Sequence, residues 1–292
     1  MKKVILSVFA LWFVVVTAGY AQEAKKENAK EFPVATKKQY QEMLKRTICF
    51  RAGSAMDMGT VVKNGDRVFA WVPAHAAVGS KCTMYLLTGF DEKSGPTFKV
   101  ISFFDGITAW KRVKQKKAEV TEIKWTGKIL RLDEDRDLAV LEIDVTKENR
   151  KYLPRSTTFG CLDKAPAKGL PVCALKPASF ERYQKKLYRG EVTTGFMTHT
   201  DVSVDSWPEP YDEASVESGP GSGGGCVYNL KTGDCLGMIT MGHKDKRITW
   251  FVSARSMRAW AKSKGVLWAF DPTVPVPSDA ELKKLPIEDP VE

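Results

Sequence analysis

The sequence predicts an all-β fold closed by a C-terminal helix. Three observations carry that expectation. From Thr47 onward the chain breaks into short runs of β-branched and aromatic residues separated by Gly, Asp, Asn and Lys turns. The runs fall into two sets, divided by the polar stretch V-T-K-E-N-R-K-Y-L-P. A segment of helical spacing follows the second set. Many short strands with regular turn punctuation predict sandwiches or barrels rather than an α/β sheet.

In chain order, Lys2 and Lys3 precede the apolar run Val4 to Val16, and small residues lead to Ala21-Gln22. This pattern predicts a secretory signal peptide over residues 1–21, because the apolar run is too short to span a bilayer and a small-residue cleavage site follows. Residues 22–46 read as a polar leader in which Tyr40, Met43 and Leu44 are spaced for one face of a short helix. The first half of the domain, about 47–145, carries I-C-F, G-T-V-V, R-V-F-A-W-V, C-T-M-Y-L-L, F-K-V-I-S-F-F, A-E-V-T-E-I-K-W and L-A-V-L-E-I. The second, about 155–254, carries L-P-V-C-A-L, G-E-V-T-T-G-F, C-V-Y-N, C-L-G-M-I-T-M and T-W-F-V-S. The helix is expected over about 253–264, with Met257, Trp260 and Ala261 on one face and Gly265 as its stop. The domain thus spans 47–270, and residues 271–292 form a Pro-rich tail expected to be extended or disordered.

Composition narrows the chemistry. A hydrophobic content of 43% suits a globular domain, and a net charge of +10 favours acidic surfaces as partners. Nothing in the sequence points to nucleic acid or to a further membrane span. The six cysteines allow fifteen pairings. Short loops favour Cys161 with Cys173 and Cys226 with Cys235, leaving Cys49 for Cys82. With no C-x-x-C spacing and three histidines, neither a metal nor another cofactor is expected.

Three stretches remain: V-F-A-W-V-P-A-H-A-A-V with His75, L-D-E-D-R-D-L-A-V-L-E-I-D with Asp137, and E-S-G-P-G-S-G-G-G-C-V-Y-N around Ser222. Together they resemble the trypsin-like serine peptidases of chymotrypsin fold, most closely the HtrA-type branch, here without a PDZ domain. The resemblance covers about Thr47 to Gly265. It implies two packed antiparallel β-barrels, a C-terminal helix, His75 as general base, Asp137 as the carboxylate that orients it, and hydrolysis of polypeptides in an exported compartment.

The glycine stretch admits two registers. Without a gap, Pro220-Gly221 and Val227-Tyr228-Asn229 match the family, which places Gly223 at the nucleophile position with an oxyanion donor at Gly221. With one residue inserted, Ser222 is the nucleophile, and Pro220, which has no N–H, stands where an oxyanion donor belongs. The first register implies a pseudopeptidase that keeps its cleft for a peptide or partner protein. The second implies an impaired endopeptidase. By position in the ungapped register, Glu217 falls at the base of the primary specificity pocket, where the resemblance implies a preference for basic side chains, and His243 falls along its wall; both are expected to bind substrate.

Overall fold

The computed structural model describes residues 32–52, 55–77, 82–91, 95–102, 112–115, 118–121, 123–124, 127–133, 135–143, 145, 147–150, 153–177, 190–204, 207–243, 246–282 and 284. Residues 1–21, where a signal peptide is expected, and residues 22–31 of the leader lie outside these residues. Chain contacts separate Met1–Pro33 from one compact unit, Val34–Glu292, which holds the fold.

After helix α1 (Lys37–Leu44) come β1 (Thr47–Ala52), β2 (Ala55–Asn64), β3 (Arg67–Val72) and the single turn α2 (Ala74–Ala77). Next are β4 (Cys82–Asp91), β5 (Gly95–Ser102), β6 (Arg112–Gln115), β7 (Ala118–Thr121), β8 (Ile123–Lys124), β9 (Gly127–Asp133), β10 (Leu138–Ile143) and α3 (Lys147–Arg150). The second half runs β11 (Pro171–Pro177), β12 (Gly190–Val202), β13 (Tyr211–Ala214), β14 (Cys226–Asn229), β15 (Cys235–Gly242), β16 (Thr249–Ser253), α4 (Ala254–Ser263), a 3-10 turn (Leu267–Ala269) and α5 (Asp279–Leu282). The second half closes as a barrel in the order β11-β12-β13-β16-β15-β14. The first half is an eight-stranded sheet ordered β8-β5-β4-β1-β2-β3-β10-β9, with β6 and β7 as a separate hairpin.

Strand alternation explains how the barrel is sealed. On β11, Val172 and Ala174 join the cluster with Val227, Leu236 and Phe251, whereas Cys173 and Leu175 join Tyr228, Leu230 and Met43 of α1. Both faces of this strand are therefore buried, the second one under the leader helix. The helix itself starts on a capping box, with Thr36 N–H donating to Gln39 Oε1 at 2.7 Å and Gln39 N–H to Thr36 Oγ1 at 3.3 Å.

A second cluster joins the two halves. Phe69 and Trp71 of β3 and Leu138 and Val140 of β10 pack against Met257, Trp260, Ala261, Trp268 and Phe270. Helix α4 has Met257, Trp260 and Ala261 buried, is capped by Ser253, whose Oγ accepts from Ser256 N–H at 3.1 Å, and ends before Gly265 at φ 70°. The stretch after it is pinned by side chains of the sheet. Asn64 Nδ2 donates to Trp268 O at 2.9 Å and to Val274 O at 2.7 Å, and Arg67 pairs with Asp279. The tail therefore packs on the sheet as far as Leu282, which is buried, instead of leaving the domain.

The cysteine pairing is partly as expected. Cys226 and Cys235 form a disulfide across β14 and β15. Cys161 and Cys173 are free thiols, Cys173 buried against the Met43 sulfur. Cys173 faces the β11–α1 side of the barrel, and spacing in sequence gave no sign of that direction. Cys49 lies opposite Tyr85 and Cys82 opposite Ala52 on neighbouring strands. That offset is about 10 Å along the strands, beyond the roughly 4–7 Å between Cα atoms that a disulfide spans.

Candidate active site

The site forms where β2, α2, the start of β10 and the glycine loop meet. His75 lies in α2, directly after β3, whose residues Val68 to Val72 are all buried. Asp137 ends a turn at φ 51°, a left-handed conformation that Asp tolerates better than most residues. Its buried carboxylate receives His75 N–H at 3.0 Å and lies 2.9 Å from Nδ1 through both oxygens. The neighbouring acids point elsewhere. Asp133 is held by Arg136, with Nη1 at 2.6 Å, and Asp135 is exposed.

Asp57 occupies the other side of the ring. Its Oδ2 is 3.1 Å from His75 Nε2, so one imidazole, half-exposed to solvent, is clamped between two buried carboxylates. The hydrogen bonds from Asp137 and then Asp57 raise the His75 pKa to about 10, against the opposing effect of burial. The ring is thus an imidazolium that donates from both nitrogens. At pH 7 the ring is therefore mostly protonated and poorly able to accept a proton.

The glycine loop lies next to Asp57. Gly223 O accepts from Met58 N–H at 2.6 Å, and Gly224 O from Thr60 Oγ1 at 3.3 Å, so β2 clamps the loop at two points. Gly224, at φ 76°, comes so close that a Cβ would fall on the Met58 carbonyl. A Cβ on Gly223 would stand 2.8 Å from Asp57 Oδ1. Ser222 is buried, and its Oγ accepts from Gly219 N–H at 3.1 Å. The residue that faces the histidine cluster is therefore Gly223, and the carboxylate of Asp57 fills the space beyond it. Among the described residues, neither Gly221 N–H nor Gly223 N–H has a protein acceptor.

The two residues expected to bind substrate are engaged by contacts within the second half of the chain. Glu217 is ion-paired with Lys176, which holds its carboxyl below the usual range, and its carbonyl accepts from Thr193 Oγ1 at 2.9 Å. Ser218 stands where a Cβ on Gly242 would be and accepts from Thr249 Oγ1 at 2.7 Å. The segment after Glu217 is thus packed onto the end of β15. His243 lies in the β15–β16 hairpin, with its N–H donating to Ile248 O at 2.9 Å.

Asp57 has no part in the sequence reading, which begins the strand at Gly59. The strand starts at Ala55, and M-D-M-G carries one charged residue in an otherwise uncharged run. That is the signal that could have found it, since a buried charge in a strand needs a partner.

The imidazolium gives a pH prediction. Because its folded pKa lies above the ordinary 6.5, its stabilisation is full below about pH 6.5, declines as pH rises, and is gone above about pH 10. Solvent at the half-exposed ring limits the effect to about 1 kcal/mol. The His75 ring resonances should titrate near pH 10 and shift to clearly lower pH in Asp57→Asn. A wild-type midpoint near 6.5 would show that the double clamp does not form in solution.

No family model matches the sequence, and no curated protein matches it. Solved structures do. Deg5 superposes with a TM-score of 0.51 at 14% identity, covering 80% of this chain and 94% of that one. Rv3671c from M. tuberculosis H37Rv, in the inactive form of a serine-to-alanine mutant, gives 0.50 at 15% identity, covering 85% of this chain and 100% of that one. At these identities the likeness is one of fold, and the fold is that of the trypsin-like serine peptidases.

Proposed function

We propose that the protein is a pseudopeptidase, exported through its N-terminal segment, that keeps the peptidase cleft as a binding surface for polypeptide. One observation carries this reading. Asp57 sits on His75 Nε2, where the hydroxyl of an attacking serine would be, while Gly223, which has no side chain, faces it. Covalent hydrolysis needs a nucleophilic oxygen and a neutral base beside it, and this arrangement supplies neither. Asp137 here holds an imidazolium in place instead of tuning a base.

The binding half of the proposal rests on the unengaged N–H groups of Gly221 and Gly223, which offer donors to a peptide carbonyl at the edge of the cleft. The Cys226–Cys235 disulfide agrees with an oxidising, exported location. The packing of Ser218 onto β15 supports an occupant held by its backbone rather than by a deep side-chain pocket.

The test is to treat the oxidised wild-type protein with a fluorophosphonate probe and map the peptide from Glu217 to Lys231. No adduct is expected at any pH between 6 and 9. An adduct on Ser222 that disappears in His75→Ala would overturn the proposal and establish a working, though rearranged, peptidase.

A further inference from the structure

We propose that Arg136 is the positioning residue of the histidine cluster, holding Asp137 on the His75 ring by tying the β9–β10 turn to the second half of the chain through Glu209. The inference deepens the reading above, in which Asp137 fixes the imidazolium, and rests on it.

Asp137 needs such support because its carboxylate is not fixed by any third residue. Among the described residues, the hydrogen bonds to it come from the His75 N–H at 3.0 Å and from Nδ1 at 2.9 Å, the very group it has to hold. Its position is therefore set by the backbone of the turn that joins β9 to β10, where Asp133 stands opposite Leu138. Asp137 has a φ of 51° there. A left-handed conformation is unfavourable for an L-residue and persists only where neighbouring contacts impose it.

The residue before it supplies those contacts. Arg136 N–H donates to Asp133 Oδ1 at 3.1 Å and Arg136 Nη1 to Asp133 Oδ2 at 2.6 Å, so both oxygens of Asp133 are engaged by one residue and close the turn. Arg136 Nη2 then reaches Glu209 Oε1 at 2.6 Å. Glu209 lies between β12 and β13, two residues before Tyr211, which is buried and meets Trp207 edge to face. One guanidinium thus bridges a carboxylate from each half, and its planar fork fixes the geometry as well as the charge. The Asp133 side chain is 10% exposed, so water screens this pair less than one on the open surface.

Tyr211 shows how closely the second half is applied to the turn. Burial and then the Asp137 charge push its phenol above the usual range, with Arg136, Asp133 and Glu209 also acting on it. Its buried hydroxyl has no hydrogen-bond partner among the described residues. The ring packs beside the turn without holding the carboxylate, and that task falls to Arg136.

The sign of one shift tests the proposal. Removing the positive charge of Arg136 would, by charge alone, make His75 easier to protonate and raise its pKa. Removing the support of Asp137 weakens the hydrogen bond that keeps the proton and lowers it. In the full chain, with Asp57 left in place, the His75 ring resonances are followed by NMR from pH 5 to 11. Arg136→Gln should lower their midpoint by about 0.5 or more, about a three-fold loss of proton affinity, and should speed exchange of the Nδ1 proton with water. If that variant does not fold, Glu209→Gln, which keeps the pair with Asp133, should still speed this exchange several-fold. The proposal is overturned if folded Arg136→Gln leaves the midpoint unchanged or raises it, or if Glu209→Gln leaves the exchange unchanged. A wild-type midpoint near 6.5 would instead overturn the clamp itself, and this proposal with it, so the wild-type titration tells the two failures apart.

Discussion

Combining Asp57→Ala with Gly223→Ser is expected to create a serine that reacts with a fluorophosphonate probe at least about 10² faster than any serine of the wild-type protein. Three obstacles stand at the wild-type site: no oxygen at position 223, a carboxylate in the space where one would go, and a histidine that is already protonated. Gly223→Ser alone removes only the first. Its Cβ would be 2.8 Å from Asp57 Oδ1, and the ring would stay an imidazolium, so this single variant should react little above background. Removing Asp57 opens the space and also withdraws one of the two hydrogen bonds that raise the His75 pKa, leaving Asp137 to orient the ring. His75→Ala on top of the double variant should abolish the labelling. A folded double variant that does not react would show that residue 223 is not presented to His75, and the ungapped register would fall with it. Hydrolysis of peptides should recover less than probe labelling, because the packing of Ser218 onto β15 remains.

The largest loss of stability is expected from Trp71→Ala, at about 4 kcal/mol. Trp71 is fully buried on β3, meets Trp260 and Phe270 edge to face with ring centroids at 5.6 and 5.7 Å, and donates from Nε1 to Ala269 O at 2.9 Å. Truncation removes the packing of a large ring and leaves a buried carbonyl without its donor. For a domain of this size the midpoint of thermal unfolding should fall by about 10 °C. Trp71→Phe keeps most of the volume and should lose about a third as much. Urea unfolding, with proteolysis of the segment after Gly265 as a second readout, checks both. A loss under about 1 kcal/mol in the alanine variant would mean that α4 and the tail are not held on the sheet through this residue.

Much of the architecture was written in local pattern. Alternation and turn residues gave the strands, the spacing of Met257, Trp260 and Ala261 gave α4 and its buried face, and Tyr40 with Met43 gave the leader helix. Local pattern failed where the deciding partner is distant in sequence. The tail reads as extended because its prolines forbid regular structure, but Asn64 and Arg67, more than 200 residues away, hold it to the sheet. Cys161 and Cys173 are close in sequence, yet the strand carrying Cys173 turns its thiol towards α1.

The site divides in the same way. The all-β fold with its C-terminal helix, His75 beside Asp137, and the glycine-rich loop were legible in the chain, because each follows from the order of residues in one short stretch; that only the second half closes as a barrel among the described residues was not. Two registers of that loop fitted its glycines, the ungapped one slightly better because it needs no insertion, since spacing alone does not say which Cα faces the histidine. The folded chain sets β2 against the loop through Gly223 O and Gly224 O, an arrangement that supports the ungapped register. With β2 in place the Ser222 hydroxyl accepts from Gly219 N–H, Gly223 stands against Asp57, and the carboxylate of Asp57, 18 residues before His75, lies on Nε2. A buried charge is set by the partner that neutralises it, and the partner is chosen by folding.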